Sequence, residues 1–270
     1  SASSGNPVCT DVPAGSYASK NVIPSAPAKK WYGISGDATL SRLVSVHTGI
    51  GSTKGQLMWS LDGGVGWNQI PSTKHIEYFS FYAVAVTPDF TKMIAAYYAS
   101  GGSFMWMSLD TGESWKELTQ RASWTGVAGN SDFSRLVGCA YQGFLYQSSD
   151  LGQTWNVITS AGSKKWHAIA ISEDGMKIIA GVYTEFIYRS IDAGVTWQQL
   201  TQAGTQMWCD LSGNQDLTII YAALNQAGGA TGAIYKSVDG ADTFDVLSSA
   251  GSKYYHGIAS NSDMTRLAAA

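Results

Sequence analysis

One eight-residue pattern, Ser-x-Asp-x-Gly-x-x-Trp, recurs along this chain and restricts its fold more than any other feature. Four copies match it fully, and a fifth carries Ala at the Gly position and Phe at the Trp position. Successive motif aspartates are 48, 40, 42 and 47 residues apart. The Asp and aromatic positions of the five copies are Asp62 and Trp67, Asp110 and Trp115, Asp150 and Trp155, Asp192 and Trp197, and Asp239 and Phe244. Self-similarity at such a period indicates a repeat architecture.

Each copy is predicted to form the loop of a β-hairpin. A short apolar run precedes it, as at residues 144–148, and a second short run follows, as at residues 156–158. The Gly supplies the positive φ that a tight turn needs, and the Asp side chain accepts backbone amides within the loop. We expect the aromatic residue to fold under the turn and to fasten it to the sheet.

The rest of each period supplies two more strands. An aromatic residue opens the first, at Trp31, Phe81, Trp124, Trp166, Trp208 and Tyr255. A turn containing Asp follows, and then a strongly apolar strand such as residues 136–139. Four short antiparallel strands fill the period and leave no room for a helix, which is typical of a β-propeller blade.

The predicted fold is therefore all-β: a six-bladed β-propeller of four-stranded antiparallel blades that occupies residues 1–270 as one domain. The successive repeats span 31–80, 81–123, 124–165, 166–207, 208–254 and 255–270, and residues 1–30 supply N-terminal strands that complete the last blade. We expect residues 1–24 and 255–270 to build that blade together, because closing the ring removes open sheet edges. The alternative is that the chain is part of a seven-bladed propeller.

The five copies resemble the Asp-box, or bacterial neuraminidase repeat, over essentially the whole chain. Families with this repeat include sialidases, xyloglucan-processing glycosidases, a photosystem II assembly factor, sortilin-type receptor domains and several propeller lectins. The resemblance implies that the motif is structural and lies away from any active centre. Fold similarity alone does not transfer a function.

A glycosidase would need two carboxylates facing each other across a cleft. Asp37, Glu77 and Asp210 are the candidates, because they are the acidic residues that we place outside the repeated positions. Asp210 stands where the other repeats carry a small residue, so it is expected to lie near the central channel. The simpler interpretation is an Asp that lines the channel and binds water or backbone amides. The sialidase arginine triad is not evident, since Arg42, Arg135 and Arg266 share one repeat position and are expected to pair with neighbouring Asp residues.

A binding surface is predicted where the loops before the first strands converge. Its candidate residues are Tyr32, Tyr82, His167, Asp210 and His256. Aromatic faces pack on the apolar faces of sugars while polar tips form hydrogen bonds, so a glycan or a protein partner is expected. The opening Trp residues, in contrast, are expected to pack between neighbouring blades. Longer insertions at 72–79, 99–103 and 225–231 break the symmetry and are further places for partner contacts.

Composition narrows the function classes. Charged residues make up 14% of the chain, against about 25% in an average soluble domain, and the net charge is −3. No basic run offers a nucleic-acid footprint, and no apolar run is long enough to insert into a membrane. The three Cys and four His show no metal-ligand spacing, so neither a metal nor a cofactor is predicted.

The sequence thus favours a non-catalytic binding or structural module over an enzyme. A glycoside hydrolase of the sialidase-like superfamily is the alternative. Low charge with abundant Ser, Thr, Gly and Trp suggests an extracellular or cell-surface protein. The chain begins at Ser1 rather than Met, which is typical of a mature or excised segment.

Overall fold

The computed structural model describes residues 8–11, 21–22, 30–48, 55–71, 80–99, 101–225 and 232–270. This part of the chain is built from 24 β-strands, with short 3-10 turns at Thr159–Ala161 and Ser248–Ala250. All strand pairs are antiparallel, and no α-helix occurs within these ranges. None of the described helical turns is long and apolar enough to cross a membrane.

The strands fall into six units of four, in which each strand pairs with the next. The first strands are β3 (Lys30–Gly36), β7 (Ser80–Val86), β11 (Trp124–Gly129), β15 (Trp166–Ile171), β19 (Gln206–Gly213) and β23 (Ile258–Ser260). The second strands are β4 (Leu43–Thr48), β8 (Met93–Tyr98), β12 (Leu136–Ala140), β16 (Ile178–Glu185), β20 (Ile220–Asn225) and β24 (Arg266–Ala269). Nearly all second-strand residues are buried, as their apolar sequences predict.

The third and fourth strands flank the repeated motif. The third strands are β5 (Gln56–Ser60), β9 (Met105–Ser108), β13 (Leu145–Ser148), β17 (Ile187–Ser190), β21 (Ala233–Ser237) and β1 (Val8–Asp11). The fourth strands are β6 (Asn68–Gln69), β10 (Lys116–Glu117), β14 (Asn156–Ile158), β18 (Gln198–Leu200), β22 (Asp245–Val246) and β2 (Asn21–Val22). Four units are separate four-stranded sheets, and the other two are joined into one eight-stranded sheet where Tyr183 of β16 pairs with Met207 of β19.

The sixth unit takes strands from both ends of the chain. Its order is β2-β1-β24-β23, with β1 lying antiparallel to β24. This is the arrangement that the sequence predicts for residues 1–24 and 255–270. The unit also completes a cycle, because each first strand contacts the first strand of the next unit and β23 contacts β3.

Six hydrophobic clusters hold the units together, one between each consecutive pair. Trp124, for example, packs with Ala85, Ile94 and Met105 of the unit before it. All six opening aromatic residues have at most 3% of their surface exposed. The prediction that the opening Trp residues pack between units is therefore confirmed, and burial of these large side chains supplies much of the stabilisation.

The repeated motif forms a loop built on its Ser and Asp side chains. In every copy the Ser hydroxyl donates to the Asp carboxylate and accepts the amide of the residue four positions later, as Ser148 does with Asp150 at 2.8 Å and Gly152 at 2.9 Å. The Asp also accepts the amide four residues after it. The Gly position has positive φ, as predicted, but the residue before it does too, even where it is Leu151 or Ala193.

The motif aromatic residue packs on the opening aromatic residue of the same unit. The ring centroids of Trp31 and Trp67 are 5.3 Å apart, and those of Trp124 and Trp155 are 5.4 Å apart. The indole of Trp155 also donates to the carbonyl of Gly152 at 2.9 Å. These contacts fasten the loop to the sheet, so the motif residues serve the fold.

Candidate functional site

A β-bulge near the start of the first strands sets the position of the candidate binding residues. In five units the register with the second strand shifts directly after the opening aromatic residue, as between Trp124 and Gly126. A bulge leaves an extra residue outside the regular ladder and re-aims its side chain. We call these residues, together with the equivalent His256, the bulge residues: Tyr32, Tyr82, Thr125, His167, Cys209 and His256.

The structure brings all five residues of the predicted binding site together. Tyr32, Tyr82, His167, Asp210 and His256 line one narrow space of about 20 Å³ inside the ring of bulge residues. The ring of Tyr32 contacts those of Tyr82 and His256, with centroids 4.5 Å apart in both pairs. A space of this size holds about one water. The side chains thus close this end of the channel by packing on one another, and a ligand would meet their outer surface.

Three further aromatic residues, which sequence reasoning missed, extend this surface. The rings of Tyr98, Tyr141 and Tyr183 form a closed cycle with Tyr82 and His167. Neighbouring centroids in the cycle are 5.2 to 6.4 Å apart. We call these five residues the aromatic cycle. The signal for them was present, because all three Tyr residues directly follow the second-strand residue that pairs with the opening aromatic residue, and so share one repeat position.

Thr125 belongs to the unit between those of Tyr82 and His167. Its side chain is short and buried, and its hydroxyl donates to the carbonyl of Trp166 at 2.8 Å. Thr125 is thus the bulge residue of its unit, and it has no aromatic ring. The five half-buried rings of the aromatic cycle surround this small side chain.

The aromatic surface is polar but uncharged near neutral pH. Burial, with His167 and Lys30 nearby, lowers the pKa of His256 to about 4. Burial also lowers the pKa of His167, whose Nδ1 lies 3.1 Å from the carbonyl of Cys209. Burial and the neighbouring Tyr32 raise the pKa of Tyr82 above its ordinary value. Both His side chains are thus neutral at pH 7.

Asp210 lies between the bulge residues and a larger cavity on the far side. Its Oδ1 accepts the amide of Leu211 at 2.9 Å, and its Oδ2 accepts the amide of Ile258 at 2.8 Å. Burial raises the pKa of this carboxyl to about 7, although the two amides act in the opposite direction. The side chain keeps some accessible surface, which faces the channel interior and leaves it largely surrounded by protein.

The equivalent position in the sixth unit shows why small residues prevail there. A Cβ at Gly257 would lie 2.4 Å from the carbonyl oxygen of Tyr32 and 2.9 Å from the Cα of Gly33. First strands of adjacent units therefore approach closely, and Asp210 fills the corresponding gap between β19 and β23 with hydrogen-bonding atoms.

The larger cavity, which we call the turn-side cavity, has a volume of about 410 Å³. It lies at the carboxyl ends of the first strands, where the turns to the second strands begin. Asp37, Glu173 and Asp210 line it, and none of the described lining residues is basic. Backbone hydrogen bonds join the turns of the sixth, first and second units, since the amide of Ala38 donates to the carbonyl of Pro88 at 3.0 Å and the amide of Ser262 donates to the carbonyl of Ala38 at 3.0 Å.

The placement of Asp37 outside the repeated positions is wrong. Its carboxylate organises the turn after β3, accepting the amides of Thr39 and Ser41, just as Asn130 and Ser172 organise the equivalent turns of other units. Hydrogen bonds from Ser41, Arg42 and Thr39 hold its pKa at about 2 in spite of burial. Glu173 is likewise engaged, accepting both the amide and the hydroxyl of Ser131. Glu77 lies outside the described residues.

The turn arginines serve the fold. Arg42 forms an ion pair with Asp37 at 3.0 Å, as the sequence predicts for this position, and donates to the carbonyl of Asp89 in the next unit at 3.0 Å. Arg266 donates to the carbonyl of Thr39 at 2.8 Å. Both cations tie neighbouring turns together.

Comparisons of sequence found no match: no known protein family and no curated protein resembles the chain closely enough to be identified. Comparisons of structure found many. The chain superposes on the GH74 enzyme of Niastella koreensis with a TM-score of 0.66 and 14% identity, covering 100% of this chain and 52% of that one. For a putative TolB from Agrobacterium tumefaciens the TM-score is 0.72 with 12% identity, covering 98% and 97% of the two chains. For YCF48 bound to D1 peptide the values are 0.56 and 14%, covering 94% and 82%.

These structures are β-propeller proteins, and the likeness places this chain among β-propeller folds. The chain spans about half the length of the GH74 enzymes that it matches. Identities of 12–14% relate the folds alone.

Proposed function

We propose that this protein is a six-bladed propeller of the Asp-box type that acts as a non-catalytic binding module. The blade count is supported by the six four-stranded units and by the contact between β23 and β3 that closes their cycle. The Asp-box assignment is supported by the same Ser–Asp hydrogen bonds in all five loops.

The ligand we propose is a neutral glycan, bound on the aromatic cycle. The observation that carries this proposal is the closed cycle of Tyr82, Tyr98, Tyr141, Tyr183 and His167. Aromatic faces pack on the C–H faces of sugar rings, while Tyr hydroxyls and His nitrogens supply hydrogen bonds. Since both His side chains are neutral at pH 7, none of the five rings of the aromatic cycle supplies a cation to favour an acidic sugar.

Binding to a panel of neutral oligosaccharides, followed by calorimetric titration of any that bind, tests this proposal. The Tyr141→Ala variant should raise Kd at least tenfold, because burying a large apolar side chain contributes about 1.5–3 kcal/mol and about 1.4 kcal/mol corresponds to a factor of ten. Tyr188→Ala is the matched control, because Tyr188 packs on Trp166 and lies outside the cycle. If no glycan binds and the protein instead self-associates stably, the glycan-binding proposal is overturned and a role as a structural building block is favoured.

A protein ligand is the other class that this surface could take. The structure of YCF48 with D1 peptide is a propeller of similar fold with a bound peptide. A protein ligand would be favoured if the wild type binds a protein partner, Tyr141→Ala does not bind it, and no glycan binds.

A glycoside hydrolase is the second candidate, and the raised pKa of Asp210 is the observation that favours it. A carboxyl with a pKa near the working pH is suited to act as a general acid, because an appreciable fraction of it is protonated there. Incubation with fluorogenic glycosides tests this candidate. Turnover that Asp210→Asn abolishes would overturn the non-catalytic proposal, whereas no turnover across the panel would support it.

We further propose that the protein works outside the cell or at its surface, on the strength of its low charge and its richness in Ser, Thr, Gly and Trp. Fractionation of the source cells with an antibody to this chain would test the location. Recovery only from the cytosol would overturn it.

A further inference from the structure

The turn-side cavity has a one-sided charge. Its acidic lining residues are Asp37, Glu173 and Asp210, and its described lining contains no Lys or Arg. Arg42 neutralises Asp37 at 3.0 Å, and Ser131 occupies Glu173 with two hydrogen bonds. Asp210 has two backbone amides and forms no ion pair with any described residue. Glu173 and Asp210 thus each accept two hydrogen bonds and lack a cation among the described residues. Asp210 is the one of the two that also borders the space lined by the bulge residues.

Asp210 lies at the deep end of the cavity. The stretch of β19 from Asp210 to the turn residue Asn214 lines the cavity, and four residues of strand span about 13 Å. Next to Asp210 the walls carry one aliphatic residue from each unit, and toward the turns they carry small and polar residues such as Ser35, Ser212 and Ser260. The aliphatic residues are Ile34, Val84, Val127, Ile169, Leu211 and Ile258. The volume of about 410 Å³ over this depth leaves room for an extended alkyl chain along the channel.

The surroundings of Asp210 do not compensate its charge. Cys209 and Cys139 are buried thiols whose pKa burial raises to about 12, so both are neutral. His167 and His256, on the adjoining side of the channel, are neutral at pH 7. Tyr82, on the same side, is neutral as well, because burial raises the pKa of its hydroxyl. A buried carboxylate without a neighbouring cation is costly even when amides donate to it, and a cation brought to it lowers that cost.

We propose that the turn-side cavity binds a primary ammonium group at the end of an unbranched alkyl chain, with the Asp210 carboxylate as its counter-ion. The aliphatic walls contact the methylene groups, and the carboxylate and nearby carbonyls accept the ammonium protons. A lysine side chain on a protein segment and a free alkyl diamine share this chemistry. This site lies at the opposite end of the channel from the aromatic cycle and does not depend on the glycan proposal.

The competing explanation is that Asp210 is only a spacer that joins β19 to β23 through the amide of Ile258. In that case the side chain stabilises the fold but no ligand depends on its charge. The two explanations differ in whether an alkylammonium ion binds, and in whether its affinity follows the ionisation of Asp210.

Calorimetric titration at pH 8 with hexylammonium and with hexan-1-ol separates charge from chain length. Hexylammonium should bind at least tenfold more tightly than hexan-1-ol. Titration with Nα-acetyl-lysine N-methylamide and with 1,6-diaminohexane then distinguishes a protein source from a free diamine. Equal affinity for the alcohol and the ammonium ion, or no binding of either, would overturn the proposal.

Asp210→Asn should lower the affinity for hexylammonium at least tenfold. Asp216→Asn is the matched control, because Asp216 lies on the exposed turn after β19 and its change should have no effect. Wild-type protein supplies a second measurement if Asp210→Asn does not fold. Its Kd for hexylammonium should rise about tenfold for each pH unit below the pKa of Asp210, because the alkylammonium stays protonated. A Kd that is constant from pH 5 to pH 8 would overturn the proposal.

Discussion

Cys9 of β1 lies directly opposite Ala268 of β24, so the two ends of the chain share one ladder. This pairing covers the edge of β24 and places β1 and β2 on the outside of the sixth unit. An exposed edge presents unpaired amides and carbonyls that recruit other strands. Closure by the chain ends therefore protects the edge of β24.

We predict that removing residues 1–24 lowers Tm and causes self-association that increases with protein concentration. The shortened chain loses both β1 and β2, and β24 becomes an open edge. Thermal denaturation and light scattering measure the two effects. Addition of the 1–24 peptide in trans should restore Tm, while a scrambled peptide of the same composition should not. An unchanged Tm in the shortened chain would contradict the role of β1.

We predict that the Ser of the repeated loop contributes more to the free energy of unfolding than its exposed neighbour does. Ser148 is buried and accepts the amide of Gly152, which Ser148→Ala would leave without a partner. The loss should be about 1–3 kcal/mol in the free energy of unfolding. Ser149→Ala, one residue along and exposed, should change it by less than about 0.5 kcal/mol. Urea denaturation of both variants makes the comparison, and equal effects would contradict it.

The close approach of the first strands predicts a second stability difference. Gly257→Ala would place a methyl group 2.4 Å from the carbonyl oxygen of Tyr32, where backbone must move to make room. We expect a loss of about 2 kcal/mol or more. Gly101→Ala is the control, since its Cβ would meet only the Arg121 side chain, at 3.6 Å. If urea denaturation gives the same midpoint for both variants, the packing between β23 and β3 is looser than described.

The repeat pattern was sufficient to predict the fold because its signals are local. Ser148, Asp150 and Gly152 lie within five residues of one another, so their loop is encoded in one short segment. The pairing of chain ends could also be predicted, since residues 21–31 parallel residues 156–166 in sequence. The regular spacing of the opening aromatic residues likewise predicted where each first strand begins.

The site was harder to predict, because its geometry depends on bulges and on contacts between units. Tyr32, Tyr82, His167 and His256 were found by their position after the opening aromatic residue, yet the register shift that gathers them is a tertiary feature. Tyr141 was missed because a single Tyr after an apolar strand does not indicate a binding site in the sequence. Its role depends on the rings of Tyr98 and Tyr183, which neighbouring units bring beside it.

Asp210 should make the protein less stable as pH rises, which is opposite to the usual behaviour of a carboxyl. Its pKa is about 7 in the folded state, compared with an ordinary value of 3.8, so the folded state binds more protons between these values. The free energy of unfolding therefore falls as pH rises from about 4 to about 7, by up to about 4 kcal/mol, and by less if water reaches the side chain through the channel. Urea denaturation from pH 2 to pH 8 should show this decline above pH 4 in the wild type, and a flatter profile over the same range in Asp210→Asn.

Asp37→Asn serves as a control of opposite sign, whose effect on the pH profile appears only below pH 4. The pKa of Asp37 is about 2, so its carboxylate contributes stability that is present above pH 4 and lost as pH falls through 2. If wild type and Asp210→Asn gave parallel profiles, Asp210 would have the same pKa in the folded and unfolded chains, and the burial described for it would be wrong.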